Sequence, residues 1–225
     1  MTDIDTILND IKTAQPEYKT VLPVSGTDVF YSPFKIRDQK TISIISEETH
    51  VGSILKNICN ILKSCSNIKN PEQLYLADLE FLFLQIRAKS VEENIKLLLD
   101  GPIPINFELN ISNIKFNNGV LTKDISTNKN ITLTVAQPRV CDYYELSSID
   151  DDKLLTKIIK VITIGNKRHD ISLFKSSDIT KILDEIYLSE IKLLKNFLKD
   201  GPKLTYDVAN GEEIIVVEGF LRFFT

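Results

Sequence analysis

The chain is poor in the residues that carry chemistry. Among its 225 residues are two histidines, His50 and His169, and three cysteines, Cys59, Cys65 and Cys141. An odd cysteine count does not make a disulfide framework. Cys59 and Cys65, six apart in a helical pattern, fall on different turns and read as buried thiols in a reducing compartment. Neither histidine is joined by cysteine or carboxylate in a metal-ligand pattern, so no metal site is expected. Gly-x-Gly-x-x-Gly and Gly-x-x-x-x-Gly-Lys-Ser/Thr are both absent, which removes two glycine-rich phosphate cradles. Excess positive charge is missing too. A net charge of −4 and a pI near 5.3 argue against a nucleic-acid partner, which needs a basic surface to neutralise phosphates. No apolar run approaches the roughly 18 residues of a membrane span, and the acidic start "MTDIDTILNDIKTAQPEYKT" lacks the apolar core of a signal peptide. These absences predict a cytoplasmic protein with no cofactor, no membrane and no small-molecule substrate, and not an enzyme.

What the chain does have is apolar patterning. Hydrophobic residues make up 43% of it and charged residues 26%, enough for a sizeable core and against extensive disorder. In residues 1–20, Ile4, Ile7, Leu8 and Ile11 stand at helical spacing, predicting a short helix or tail that docks on the body or on another chain. Pro23, Gly26 and Pro33 punctuate the next segment, with strand-like pieces at Val29–Tyr31 and Ile42–Ile45. A buried helical face follows from Ile54 to Cys65. Asn70-Pro71-Glu72-Gln73 reads as a helix start, opening "EQLYLADLEFLFLQIRAKS", which is apolar on nearly all sides and therefore central. Ser90-Val91-Glu92-Glu93 reads as the capping box of another helix, ending at Leu99.

Beyond Asp100-Gly101-Pro102 the period changes. Ile105, Phe107, Leu109 and Ile111 alternate, as do Ile131, Leu133 and Val135, with the polar "NNGVLTKDISTNKN" between them as a turn or hairpin tip. "LSSIDDD" then caps a helix carrying Leu154, Leu155, Ile158, Ile159 and Ile162. A long helix from Asp178 to Leu198 ends at a second Asp-Gly-Pro, 200–202, and "EEIIVVEGFLRFFT" closes in strand character. "LYLADLEFL" at 74–82 and "IYLSEIKLL" at 186–194 match class for class ahead of the two stops. Ancestral duplication explains this, and so does Gly-Pro as a common way to end a helix. Either way the fold expected is α+β, two helical layers each followed by short antiparallel strands. The domain division is an N-terminal helix or tail (1–20), a first α+β unit (21–142) and a second (143–225).

Few residues suggest a site. Cys141 with a histidine has no local mark of a nucleophile. "SSIDDD" is explained by acids at a positive helix start, and "GNKRHD" at 165–170 reads as a solvated turn. Phe220, Phe223 and Phe224 pack as a last strand into the core, or form an apolar patch for a neighbouring subunit. They are the one candidate partner interface.

"LPVSG" at 22–26 followed by Tyr31, "DLEFLFLQIRAKS" at 78–90, and a helix, Gly-Pro and "GEEIIVVEGFLRFF" layout in the last third occur in an order that resembles the baseplate hub and hub-assembly proteins of T4-type bacteriophages. Val24 is an extra residue in the opening turn. Members of that family can carry Cys-x-x-Cys pairs after the helices; here "INFELNISN" and "LTYDVANGEE" contain none. The resemblance implies a structural or assembly protein of the central hub of a contractile-tail baseplate, acting by binding other hub and tail proteins. It would be found in the host cytoplasm during assembly and in the virion tail. Two other readings stay open on sequence alone: a phage protein binding a host target, and a small hydrolase or transferase using Cys141 or the His50/His169 pair.

Overall fold

The computed structural model describes residues 3–91, 94–99, 105–110, 113–127, 130–146, 151–171, 174–186, 188–210 and 213–218. The chain opens with helix α1 (Ile4–Thr13), whose apolar residues stay exposed. Strands β1 (Tyr18–Val21) and β2 (Asp28–Tyr31) form an antiparallel hairpin with Tyr18 opposite Tyr31. The turn between them closes on its own backbone, Leu22 N–H donating to the Thr27 carbonyl and Gly26 N–H to that of Leu22, each at 2.9 Å.

Helices α2 (Ile36–Glu47), α3 (Val51–Cys65) and α4 (Leu76–Ser90) follow. On α3 the apolar residues from Val51 to Cys65 fall on one face and are all buried, as their three-and-four spacing requires. Gly52 lets this helix approach the 140–146 segment closely. A Cβ there would overlap the Tyr144 carbonyl, and Gly52 N–H donates to Leu146 O at 3.0 Å. Helix α4 lacks a polar face: Leu79, Leu82, Phe83, Leu84 and Ile86 are buried around its whole circumference.

The rest is mainly strand. β3 (Asn94–Leu99) and β4 (Ile105–Asn110) pair antiparallel. β5 (Lys115–Asn117) belongs to a three-stranded sheet with β10 (Lys203–Asn210) and β11 (Glu213–Glu218), in the order β5-β10-β11. β6 (Thr122–Ser126), β7 (Ile131–Ala136), β8 (Ile159–Ile164) and β9 (Lys167–Asp170) form a four-stranded antiparallel meander. Helix α5 (Asp151–Ile158) leads into β8, and α6 (Ser176–Asp184) and α7 (Leu188–Lys199) follow β9.

Two apolar clusters result. One gathers Leu22, Val29 and Tyr31 around α3 and α4 and is completed by Val140, Leu204 and Tyr206. The other packs Ile125, Leu133, Val135 and Ile162 of the meander against α5, α6 and α7. Leu198 touches both. The fold is α+β, as the alternation of helical and strand periods predicts.

Several local expectations are corrected. Ile42–Ile45 lies inside α2, not a strand. Asn70 makes no side-chain cap; Pro71–Gln73 is a 3-10 turn, and extended backbone at Leu74 and Tyr75 separates it from α4. The segment ending at Leu99 is strand β3, not a helix, its branched residues gaining a partner in β4. "NNGVLTKDISTNKN" contains strand β6, paired with β7. Ile159 and Ile162 belong to β8, since α5 ends at Ile158. The single long helix expected at 178–198 is two, α6 and α7, with a break after Asp184.

The two Asp-Gly-Pro segments therefore follow different elements. Residues 100–104 lie outside the described residues, but the element before them is a strand. The second follows α7 and is packed tightly. Gly119, at φ +53°, lies against the backbone of Gly201. Val120 N–H donates to Asp200 O at 2.9 Å, and Gln137 Nε2 donates to Phe197 O at 2.6 Å.

Candidate functional site

Asp78 sits in the first turn of α4 with no exposed surface. Two other acids at the same helical position, Asp38 and Asp142, accept the backbone N–H three residues earlier, each at 2.8 Å. Asp78 instead reaches across to the hairpin turn: Oδ1 accepts from Val24 N–H at 2.8 Å and Oδ2 from Ser25 N–H at 3.1 Å. Burial pushes its carboxyl above the ordinary aspartate value, and these hydrogen bonds and the Arg139 charge pull the other way. Arg139 itself stacks 3.6 Å over the Tyr75 ring.

At the other end of α4, Ser90 Oγ donates to Ile86 O at 2.6 Å and accepts from Phe34 N–H at 2.7 Å. Between these points the Phe34 and Phe83 rings lie 5.6 Å apart. The Tyr31 hydroxyl donates to Gln85 Oε1 at 3.5 Å, Tyr31 stacks on Tyr18 at 5.6 Å, and Lys89 Nζ lies 5.6 Å over the Tyr18 ring. The first and last residues of "DLEFLFLQIRAKS" thus clasp the segment running from "LPVSG" to Phe34. Sequence stretches that are far apart in the chain form one latch. Its chemistry is that of fixing backbone, because each polar group is spent on a neighbour.

The other candidates are dispersed. Cys141 is partly buried, 3.9 Å from Gln73 Nε2, and burial with the Asp142 charge pushes its thiol up, the reverse of what activates a nucleophile. Cys59 and Cys65 are buried, their thiols pushed up to about 11 and about 12. His50 precedes α3, its Nδ1 accepting from Ser53 N–H at 3.3 Å. His169 lies on β9, the exposed edge strand. "GNKRHD" is the β8–β9 hairpin, with Gly165 in its turn. Of "SSIDDD", residues 147–150 lie outside the described residues and Asp151 and Asp152 open α5. Phe220, Phe223 and Phe224 lie outside the described residues. No group of three or more His, Cys, Asp or Glu placed to hold a metal occurs among the described residues. No helix among them is long and apolar enough to cross a membrane.

One surface was not singled out by sequence. An apolar groove of about 460 Å³ opens between the tip of the meander and α6, lined by Ile131, Ile162, Ile164, Phe174, Ile182 and Ile186. Strand alternation contains the signal: Ile131 faces Ile164 and Leu133 faces Ile162 across β7 and β8, so one sheet face is apolar to its end. The break between α6 and α7 leaves that end uncovered.

The fold and its latch define a structural protein, in which the concentrated polar contacts hold chain to chain rather than present groups to a substrate. The chain belongs to the family described as T4 bacteriophage base plate protein, whose model matches residues 15–225. It is a phage baseplate structural protein, and membership points to a tail location, to contacts with other tail proteins and to a role without catalysis. Comparison with curated proteins and with solved structures produced no significant match.

Proposed function

We propose that this protein is a structural or assembly component of the central hub of the baseplate, working by protein–protein binding. The observation that carries the reading is the family match over residues 15–225 together with the hub-type order of "LPVSG", "DLEFLFLQIRAKS" and the closing helix and strand. Support comes from the latch, which joins the first two of these through Asp78, Gln85 and Ser90. Its partners are other hub and tail proteins, met in the host cytoplasm, and Phe220, Phe223 and Phe224 form one interface with them. Binding of this kind rests on apolar patches and complementary charge.

The test is quantitative mass spectrometry of purified virions beside lysate of infected cells. A fixed small copy number per particle makes the protein a resident hub subunit. Abundance in lysate with absence from particles makes it an assembly factor, and pull-down of hub subunits from that lysate is then expected. Absence from particles with no tail protein captured overturns the proposal.

A further inference from the structure

Two apolar surfaces on this chain are exposed and match one another. The first is the stripe of α1, where Ile4, Ile7, Leu8 and Ile11 are 65%, 41%, 45% and 52% exposed. Their spacing puts them on one side, with Asp5 and Asp10 flanking the stripe and Asp3 just ahead of it. Neither apolar cluster includes a residue of this helix. The second is the groove beside α6, where Ile164 and Phe174 are 50% and 52% exposed.

Its borders are basic where the helix is acidic. Lys167 lies opposite Ile164 in the β8–β9 ladder, so it shares the groove's face, and His169 shares it opposite Ile162. Arg168 and Lys175 are chain neighbours of groove residues, and Lys181 lines the α6 wall beside Asp178 and Glu185. An amphipathic helix with anchors at i, i+3, i+4 and i+7 is the shape that apolar grooves of this kind accept, and the signs of charge agree.

We propose that α1 of one copy of this chain seats in the α6 groove of a second copy. Within a single chain the stripe and the groove are both exposed. Only residues 14–17 join α1 to β1, and β1 is fixed by its pairing with β2 in the first cluster's hairpin. Each copy offers one helix and one groove, so reciprocal exchange closes a dimer, and one-way exchange builds a ring or row. The inference does not depend on the hub reading and fails separately from it.

Sedimentation velocity and light scattering of the full chain, up to about 100 µM and so within reach of micromolar affinity, test it. The chain is expected to associate with rising concentration, less strongly in high salt. Ile7→Asp with Ile11→Asp in α1, or Phe174→Asp in the groove, is expected to weaken association at least roughly 100-fold. Thr6→Asp with Asn9→Asp, which adds the same charge to the far side of the helix, leaves it within a few-fold. The discriminating sample is a mixture of the two defective variants. One retains a groove and the other a helix, so the mixture forms a one-to-one complex although neither variant associates alone. A chain that stays monomeric overturns the proposal. So does association that survives the α1 change, and so does a mixture that stays apart.

Discussion

Asp78 is the residue on which the most structure converges, and it is unusual in being buried and acidic while serving two backbone N–H groups of a distant turn. Asp78→Ala leaves both donors without an acceptor and is expected to cost about 2 to 3 kcal/mol in urea unfolding, with Asp78→Asn losing less because one acceptor oxygen remains. The same residue gives a pH dependence. Its folded-state pKa is raised above the ordinary 3.8, so from pH 3.8 up through the raised value the folded chain keeps a proton that the unfolded chain has lost. Its contribution to stability is therefore present below that window and falls as pH rises through it. Unfolding followed across that range should show this slope in the natural chain and its loss in Asp78→Asn. The thiols supply another test at this scale. With Cys59 and Cys65 buried and pushed up to about 11 and about 12, a thiol reagent at neutral pH should label Cys141 first. All three should react at similar rates once the chain is unfolded.

At the scale of elements, close approach decides more than propensity does. Gly52→Ala puts a methyl into the Tyr144 carbonyl and forces α3 away from the 140–146 segment. It is expected to cost about 1 to 3 kcal/mol, read as a lower thermal midpoint, although alanine is the better helix former. Elements with a single strong period were legible from sequence. The face of α3, the apolar girth of α4 and the alternation of β7 all stand where their spacing puts them. The misread elements share a cause, which is that short branched apolar runs suit a helix or a strand equally and tertiary pairing decides. Asn94–Leu99 became a strand because β4 returns alongside it, and Ile159–Ile164 because β7 offers a ladder. The latch was half legible: its two halves were recognised as stretches, but nothing local indicates that Asp78 reaches back to Val24 and Ser25. The groove was not legible, because it depends on where α6 stops.

For the whole molecule, the placement of α1 separates folding from assembly. Its residues enter neither apolar cluster, so a chain lacking residues 3–13 is expected to keep its helical circular dichroism and, at low concentration, a thermal midpoint within about 2 °C of the natural one, since little buried surface is lost. A fall of many degrees would place that helix in the core after all. The two clusters do not follow chain order. Strands from the middle of the chain enter the second, and β10, from its last part, supplies Leu204 and Tyr206 to the first.

That last arrangement governs when the protein can fold. β10 pairs with β5 and carries Tyr206 into the cluster built on α3 and α4, so the early helices reach the ribosome exit well before the strand that completes their core. During synthesis the emerging chain must expose part of that apolar surface until β10 is made, because contacts this distant in sequence close late. A phage that produces its baseplate proteins quickly in a crowded host therefore gains an ordering signal at no extra cost in residues: interrupted chains stay unfinished, and only finished ones present a closed surface to the growing tail.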